Sequence, residues 1–342
     1  MNRNRTAVRP DKGTIKAAAV LTALALLFLA GLLLLRAWEE NAGAVRDGAP
    51  AAPEEALTYY NGAWYRPRRG LETVLVIGVD QAAVDGALRR DKKYEQSDFL
   101  LLLVIDKGRE RCTAVHINRD TMTEIQALDD DTNALLGTMT GQLSLAHAYG
   151  SRPEARCRNT VEAVSALLYG VEIGHYLSLT MDGVVVLNDL AGGVTLEVMD
   201  DLTAQDSALV QGASVTLKGR QALAYVQARM GLDDPSNIRR MERQKQYLEA
   251  LQEKLLACMD AEEEFVLSAL LELNAYMVSD CPAEKLSELA GILAERGVTE
   301  YRVLEGEAVE GEEYMEYHVD EPAARELVME LFYEQAESGQ SK

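Results

Sequence analysis

The stretch TVLVIGVD, residues 73–80, is an almost unbroken apolar run that ends in an aspartate. The stretch FLLLLVID, residues 99–106, repeats this pattern and also ends in an aspartate. Continuous apolar runs of this kind are typical of strands that are covered on both faces of a sheet. The segment RCTAVHI, residues 111–117, has the composition of a third strand. The sequence therefore predicts a buried sheet that includes these three strands.

Helical patterns alternate with further strand patterns downstream. The segment NTVEAVSALLYG, residues 159–170, predicts a helix that is capped by Asn159 or Thr160. The later elements are, in order, a strand at 175–181, a helix at 181–193, a strand at 194–199, and helices at 217–229 and 239–259. Strands interleaved with helices predict an α/β fold, a three-layer α/β/α sandwich around a mixed central sheet.

The N-terminal region carries an uncharged apolar run, AAAVLTALALLFLAGLLLL, at residues 17–35. Its length is close to the roughly 20 residues that a helix needs to span a bilayer. Basic residues precede the run, so the positive-inside rule places the N-terminus in the cytoplasm and the rest of the chain outside. The alternative is a signal peptide cleaved near NAGA, residues 41–44, but signal-peptide apolar cores are typically only about 7–15 residues long. We therefore expect one transmembrane helix.

The region after the run is rich in proline and small residues, as in DGAPAAPEEA at residues 47–56, and is typical of a linker. We expect five segments: a cytoplasmic N-terminus (1–14), a transmembrane anchor (15–36), a linker (37–70), a main α/β domain (71–259), and a C-terminal α/β extension of that domain with a tail (260–342).

Composition excludes several classes of function. A hydrophobic fraction of 48% with 26% charged residues is typical of a globular chain, and the net charge of −21 argues against binding nucleic acid through a basic surface. The histidines form no zinc motif, and the cysteines show no metal-type spacing. We expect the cysteines to be small buried residues, although a Cys112–Cys157 disulfide is compatible with export. The cysteines are Cys112, Cys157, Cys258 and Cys281.

Charged side chains are concentrated where the predicted elements end. A lone Arg-Asp pair such as Arg119-Asp120 is ordinarily a solvated turn. However, Arg240, Arg243 and Gln244 share one face of the first turns of a helix, where the helix dipole favours an anion over a cation. An anionic ligand would compensate these arginines. Arginines together with Asp80, Asp98 and Asp120 are suited to a pyrophosphate that is bridged by a divalent metal.

An ordered series of motifs resembles the LytR-CpsA-Psr family, the membrane-anchored enzymes of Gram-positive cell envelopes. The motifs are VLVIGVD (74–80), SD (97–98), INRDT (117–121), LAHAYG (145–150), NTVEAVSALLYGVEIGHYLSL (159–179), LNDLAGGVTLEV (187–198), LKGRQALAYVQAR (217–229) and NIRRMERQKQYLEAL (237–251). The resemblance covers about residues 71–259, and the tail to about residue 332 is similar to the family's C-terminal extension.

The resemblance implies an extracytoplasmic phosphotransferase in the cell membrane. Such an enzyme moves a glycopolymer, a teichoic acid or a capsular polysaccharide, from an undecaprenyl-pyrophosphate carrier onto peptidoglycan. The implied partners are this lipid-linked glycopolymer, peptidoglycan and membrane lipid, with a pyrophosphatase side activity. The implied cofactor is Mg²⁺ or Mn²⁺.

The resemblance also implies roles for individual residues. Catalysis falls to Asp98, Arg119 and Asp120. The metal ligands are Asp80, Asp98 and Asp120. The residues that contact or support the pyrophosphate are Arg119, Arg229, Arg240, Arg243 and Gln244.

Four positions depart from the family pattern, which has charged residues there. They are Gln96, Gln142, Gln227 and Asn237. Three of these changes exchange a basic residue for an amide, and charged hydrogen bonds are roughly twice as strong as neutral ones. The alternative function is therefore a non-catalytic envelope protein that binds polyprenyl (pyro)phosphate. A DNA-binding regulator is excluded by the charge and the exported location, and a purely structural envelope protein leaves the clustered arginines unexplained.

Overall fold

The computed structural model describes residues 57–80, 96–228, 237–262 and 264–336. Among the described residues, a compact folded unit begins at Thr58. The predicted transmembrane anchor, 15–36, lies outside the described residues. Within the described ranges, no helix is long and apolar enough to cross a membrane.

Among the described residues, the first seven strands of the folded unit precede its first α-helix, and helices interrupt the later strands. In chain order they are β1 (Thr58–Tyr60), β2 (Ala63–Pro67), β3 (Leu71–Val79), β4 (Ser97–Asp106), β5 (Arg111–His116), β6 (Met122–Leu128), β7 (Leu135–Gln142), β8 (His175–Thr180), β9 (Val194–Glu197), β10 (Ser214–Leu217), β11 (Met277–Ser279), β12 (Glu300–Val303), β13 (Gly306–Glu310), β14 (Met315–Val319) and β15 (Tyr333–Gln335).

The helices are α1 (Pro153–Leu167), α2 (Met181–Leu190), α3 (Arg220–Gln227), α4 (Ile238–Ala261), α5 (Phe265–Leu273), α6 (Ala283–Arg296) and α7 (Glu321–Phe332). A short 3₁₀ helix at Leu143–Ala148 links β7 to the region before α1.

The central sheet has six strands in the order β11-β8-β3-β4-β5-β12. Strand β3 pairs parallel with β8, and β5 pairs parallel with β12, whereas the other neighbours are antiparallel. The two central apolar runs of the sequence are the paired strands β3 and β4. The prediction of a mixed central sheet is therefore confirmed.

Side chains that alternate along each strand cover both faces of this sheet. On one face, Leu75 and Leu102 pack in a cluster with Val164 of α1 and Val328 of α7. On the other face, Val74 packs in a cluster with Leu289 of α6. Helices α2, α3 and α4 enclose a further apolar cluster together with β9 and β10. The layers of helix on both faces explain why the central strands are apolar throughout.

Three details differ from the sequence expectation. Helix α1 begins at Pro153 rather than near Asn159, because a proline at the first helical position is pre-organised for helix. The predicted linker extended to residue 70, but β1 and β2 lie within it and β2 pairs with β15. Finally, Cys112 and Cys157 are free and buried in different apolar clusters, so they do not form the disulfide that export would permit.

Candidate active site

The candidate site lies at one edge of the central sheet, where three neighbouring strands begin or end. The register pairs Val79 of β3 with Ser97 of β4, which brings Asp80 and Asp98 to the same edge. Strand β5 ends at His116 beside Leu101 of β4, and the chain then turns. Because β4 is antiparallel to both neighbours, its first residues meet the segment that follows β5. The topology thus gathers the predicted charged residues.

Asp98 is the centre of the cluster because it contacts two buried arginines. Arg119 forms an ion pair through Nη1 with Asp98 Oδ1. Arg240, from the first turn of α4, donates through Nη2 to the carbonyl oxygen of Asp98 at 3.0 Å, and its Nη1 lies 3.5 Å from Oδ1. The two arginine side chains are only 10% and 4% exposed. The structure therefore brings Asp98, Arg119 and Arg240 together, as the sequence predicted.

Arg119 is held by neutral groups as well as by carboxylates. Its Nη2 donates to Gln96 Oε1 and, at 3.0 Å, to Ser144 Oγ. Its Nε lies 3.4 Å from Asp120 Oδ1 but makes no hydrogen bond within the described part of the chain. A buried guanidinium N–H without a hydrogen bond is available to a ligand oxygen.

Asp120 contacts Gln142 through its side chain and Tyr317 through its backbone. Gln142 Nε2 lies 3.2 Å from Asp120 Oδ1 and donates at 2.8 Å to the carbonyl oxygen of Met315. The carbonyl oxygen of Asp120 accepts from Tyr317 N at 2.9 Å. The β13–β14 hairpin (residues 306–319) therefore supports this side of the site.

Asp80 is affected by the charges of both Asp98 and Arg119. The pKa of Asp80 is raised, first because surrounding protein atoms reduce its hydration and second because Asp98 is negatively charged, while Arg119 acts in the opposite direction. Two repelling carboxylates fit a divalent cation that accepts oxygen ligands. Asp120 instead directs its oxygen to Gln142 and Arg119. Among the described residues, no three His, Cys, Asp or Glu side chains are arranged to hold a metal.

Arg243 is separated from this cluster, which corrects its place among the pyrophosphate ligands. Its side chain is fully buried, and its Nη1 pairs with Asp200 Oδ2 at 2.6 Å. Its Nε donates to the carbonyl oxygen of Tyr225 at 3.1 Å, and its Nη2 donates to that of Ala228. These hydrogen bonds connect α4 to the C-terminal end of α3. The guanidinium nitrogens of Arg243 are therefore all used within the protein, from where Arg243 can support Arg240.

The remaining predicted residues have different outcomes. Gln244 is buried and donates through Nε2 to the carbonyl oxygen of Val226 at 3.2 Å, whereas its Oε1 has no hydrogen-bond partner in the described ranges. Arg229 lies outside the described residues, so its role stays a prediction.

Three side chains of the site were missed by sequence reasoning. Ser144 contacts Arg119, and Asn118 Oδ1 accepts from both Asp120 N at 3.0 Å and Asn237 Nδ2 at 3.1 Å. His116 is buried beside Arg240, and the burial and the cation together lower its pKa to about 3. The position of His116 three residues before Arg119 was the available signal. Nothing in the sequence pattern indicated the contacts of Ser144 and Asn118.

Comparison with known proteins agrees with this architecture. A model of the LytR_cpsA_psr family matches residues 47–332. The chain belongs to this family. The family resemblance noted from the ordered motifs is thereby confirmed, and the matched region contains every described residue of the site.

Among curated relatives, a polyisoprenyl-teichoic acid–peptidoglycan teichoic acid transferase, TagU of Halalkalibacterium halodurans, is 29% identical over 179 residues, which is 52% of this chain and 51% of the relative. Biofilm regulatory protein A of Streptococcus mutans is 27% identical over 54% of this chain and 44% of the relative. The chain thus spans about half the length of the curated relatives that it matches.

Among solved structures, protein gbs0355 from Streptococcus agalactiae has a TM-score of 0.62 at 18% identity, over 76% of this chain and 86% of that one. A structure described as TagT bound to LI-WTA has a TM-score of 0.54 at 18% identity, over 77% of this chain and 90% of that one. At these identities the likeness shows the fold.

Proposed function

We propose that this chain is an extracytoplasmic phosphotransferase that moves a glycopolymer from an undecaprenyl-pyrophosphate carrier onto peptidoglycan. The supporting observation is the convergence of Arg119 and Arg240 on Asp98 at the sheet edge. The relative TagU is a polyisoprenyl-teichoic acid–peptidoglycan teichoic acid transferase, which supports the same reaction class, with teichoic acid as that relative's polymer. We also propose that the predicted anchor (15–36) spans the cell membrane and that the folded unit lies on the extracytoplasmic side.

The chemistry follows from the charges of the site. An acceptor hydroxyl attacks the phosphorus on the glycopolymer side, the new P–O bond forms, and undecaprenyl phosphate leaves. A carboxylate, Asp98 or Asp120, takes the proton of the hydroxyl. Arg119 and Arg240 bind the phosphate oxygens, and Arg119 has a buried N–H available for one of them.

Three carboxylates face only two guanidinium groups in the described part of the site. An anionic pyrophosphate would therefore meet excess negative charge. Mg²⁺ or Mn²⁺, held by Asp80 and Asp98, would supply the neutralising positive charge. Asp120 would join this pair only after leaving its contacts with Gln142 and Arg119.

The second candidate is a non-catalytic protein that binds polyprenyl (pyro)phosphate. It is favoured by the neutral side chains at the site, since Gln96 contacts Arg119 and Gln142 contacts Asp120. Each amide forms a hydrogen bond with a charged group of the protein and adds no positive charge for the ligand.

The test uses the full chain in detergent with a polyprenyl-pyrophosphate-linked saccharide, a peptidoglycan fragment and Mg²⁺. We would follow retained lipid, released polyprenyl phosphate and the saccharide–peptidoglycan product. Arg119→Ala should abolish turnover, whereas Arg220→Ala, whose side chain is 82% exposed, is the matched control. Product from the wild type supports the transferase. Lipid retention without turnover supports the binder, and phosphate release without acceptor measures the pyrophosphatase side activity.

A further inference from the structure

The β1–β2 hairpin carries an exposed aromatic pair that is not part of the site described above. Tyr59 and Trp64 are 62% and 53% exposed. Tyr59 lies directly opposite Trp64 in the register, and their ring centroids are 5.1 Å apart. We call these two residues the aromatic face.

The aromatic face is held on a fixed support. Strand β15 pairs with β2 on its other edge, opposite β1. Arg68, just after β2, donates to the carbonyl oxygens of Leu331, Glu330 and Tyr333 at 3.2, 2.9 and 2.6 Å. Because these contacts hold the hairpin in place, its exposed apolar side chains cannot turn toward the protein interior. Their exposure to water therefore costs more free energy than it would on a free chain terminus. Such a patch indicates a contact surface.

Positive charge accompanies the aromatic face although the chain as a whole carries −21. Arg66 is two positions after Trp64, and Arg69 is exposed just beyond the strand. Arg66 also pairs with Glu334 at 2.8 Å, which fixes its guanidinium at the surface. Tryptophan and tyrosine side chains with nearby arginines fit the interface of a bilayer with anionic headgroups.

We propose that the aromatic face docks onto the headgroup region of a phospholipid bilayer. The order of the sequence supports this occupant, because the apolar run ends at residue 35 and β1 is the first strand of the folded unit after it. A bilayer provides apolar contacts for Tyr59 and Trp64 and an anionic surface next to Arg66 and Arg69. The proposal does not depend on the reaction assigned to the sheet edge.

Tryptophan fluorescence can report on the aromatic face, because the chain has two tryptophans, Trp38 and Trp64. In the full-length Trp38→Phe protein, reconstituted into vesicles of phosphatidylcholine and phosphatidylglycerol, Trp64 is the sole tryptophan. We expect brominated lipid to quench Trp64 and the bilayer to shield it from iodide. Tyr59→Ser should lower the lipid quenching by about half or more. Tyr314→Ser, at another exposed tyrosine, should leave the quenching unchanged.

Other outcomes overturn the proposal. Full iodide access to Trp64 with no quenching by brominated lipid, in protein that floats with the vesicles, means that the face does not touch the bilayer. A blue shift of Trp64 on addition of a peptidoglycan saccharide, without lipid quenching, assigns the face to sugar binding instead. Circular dichroism of each variant checks that the hairpin changes leave the fold intact.

Discussion

Arg240 reaches across the fold to touch Asp98 twice, through the carbonyl oxygen at 3.0 Å and through Oδ1 at 3.5 Å. The two residues are 142 positions apart, on α4 and β4. Because Arg119 contacts the same carboxylate, Asp98 fixes the spacing of both guanidinium groups. The relative position of these two guanidinium groups therefore depends on the packing of α4 against the sheet edge.

The first prediction concerns the guanidinium group of Arg240, which contacts Asp98 through two nitrogens. Lysine keeps the positive charge in Arg240→Lys but has a single nitrogen, so it cannot contact the carbonyl and carboxylate oxygens together and still bind phosphate. We expect kcat/KM for the lipid-linked saccharide to fall about 10- to 100-fold, which corresponds to roughly 1–3 kcal/mol. Steady-state kinetics check this, with Arg220→Lys as the control. A kcat/KM equal to that of the control would contradict the role of Arg240.

The second prediction separates Arg243 from its neighbour. Arg243→Met removes a buried cation from Asp200 and the hydrogen bonds that two carbonyl oxygens accept from the guanidinium. Breaking a buried pair typically costs about 3–5 kcal/mol of unfolding free energy, and Arg239, which contacts Asp200 at 2.8 Å, should reduce that cost. Urea denaturation measures the loss. Unchanged stability with lost lipid retention would instead place Arg243 in direct contact with the pyrophosphate.

The sequence predicted the parts of the site that depend on local pattern. Long apolar runs indicated β3 and β4, and the helical spacing of Arg240 and Arg243 indicated α4. The spacing alone could not separate the two arginines, because one helical face can point toward a cleft at one turn and toward a neighbouring helix at the next. Arg243 contacts α3 through carbonyl oxygens, and a backbone contact leaves no trace in residue type.

The missed structure depends on partners that are distant in sequence. The strands β1 and β2 were read as linker because their pairing with β15 joins residues near the two ends of the folded unit. Asn159 was read as a helix cap, but its Nδ2 donates to the carbonyl oxygens of Gln126 and Ala146 at 3.0 and 2.8 Å. Cap residues and buried polar residues are of the same types, so the composition could not distinguish these two uses.

The third prediction concerns Gln142. The amide lies beside Asp120, so Gln142→Lys would place an ammonium 3–4 Å or so from that carboxylate and add a positive charge to the site. We expect the affinity for the pyrophosphate-linked lipid to rise by roughly 5- to 10-fold, since charged hydrogen bonds exceed neutral ones by about 1 kcal/mol. Lipid-retention titrations measure it. Gln142→Met, which is similar in length and uncharged, is the control and should not raise the affinity.

His116 connects the site to the C-terminal part of the chain. It is 1% exposed, it forms a hydrogen bond between Nδ1 and the hydroxyl of Tyr301, and its ring lies 4.9 Å from that of Phe99. Lys245 lies 5.0 Å from the ring centroid of Tyr301. Burial first and Arg240 second lower the pKa of His116 from 6.5 to about 3. The imidazole is therefore neutral in the folded protein at neutral pH.

The fourth prediction follows from this shift. Between pH 6.5 and about 3 the unfolded chain binds a proton at His116 that the folded chain does not, so the pKa difference lowers stability as the pH falls through this window. The contribution is roughly 1 kcal/mol per pH unit and vanishes above pH 6.5. His116→Gln removes the titration, so the difference in unfolding free energy between wild type and variant should change with pH only below 6.5. Urea denaturation across this range checks it, with His318→Gln, at an exposed histidine, as the control. A constant difference would mean that His116 has the same pKa in the folded and unfolded chain.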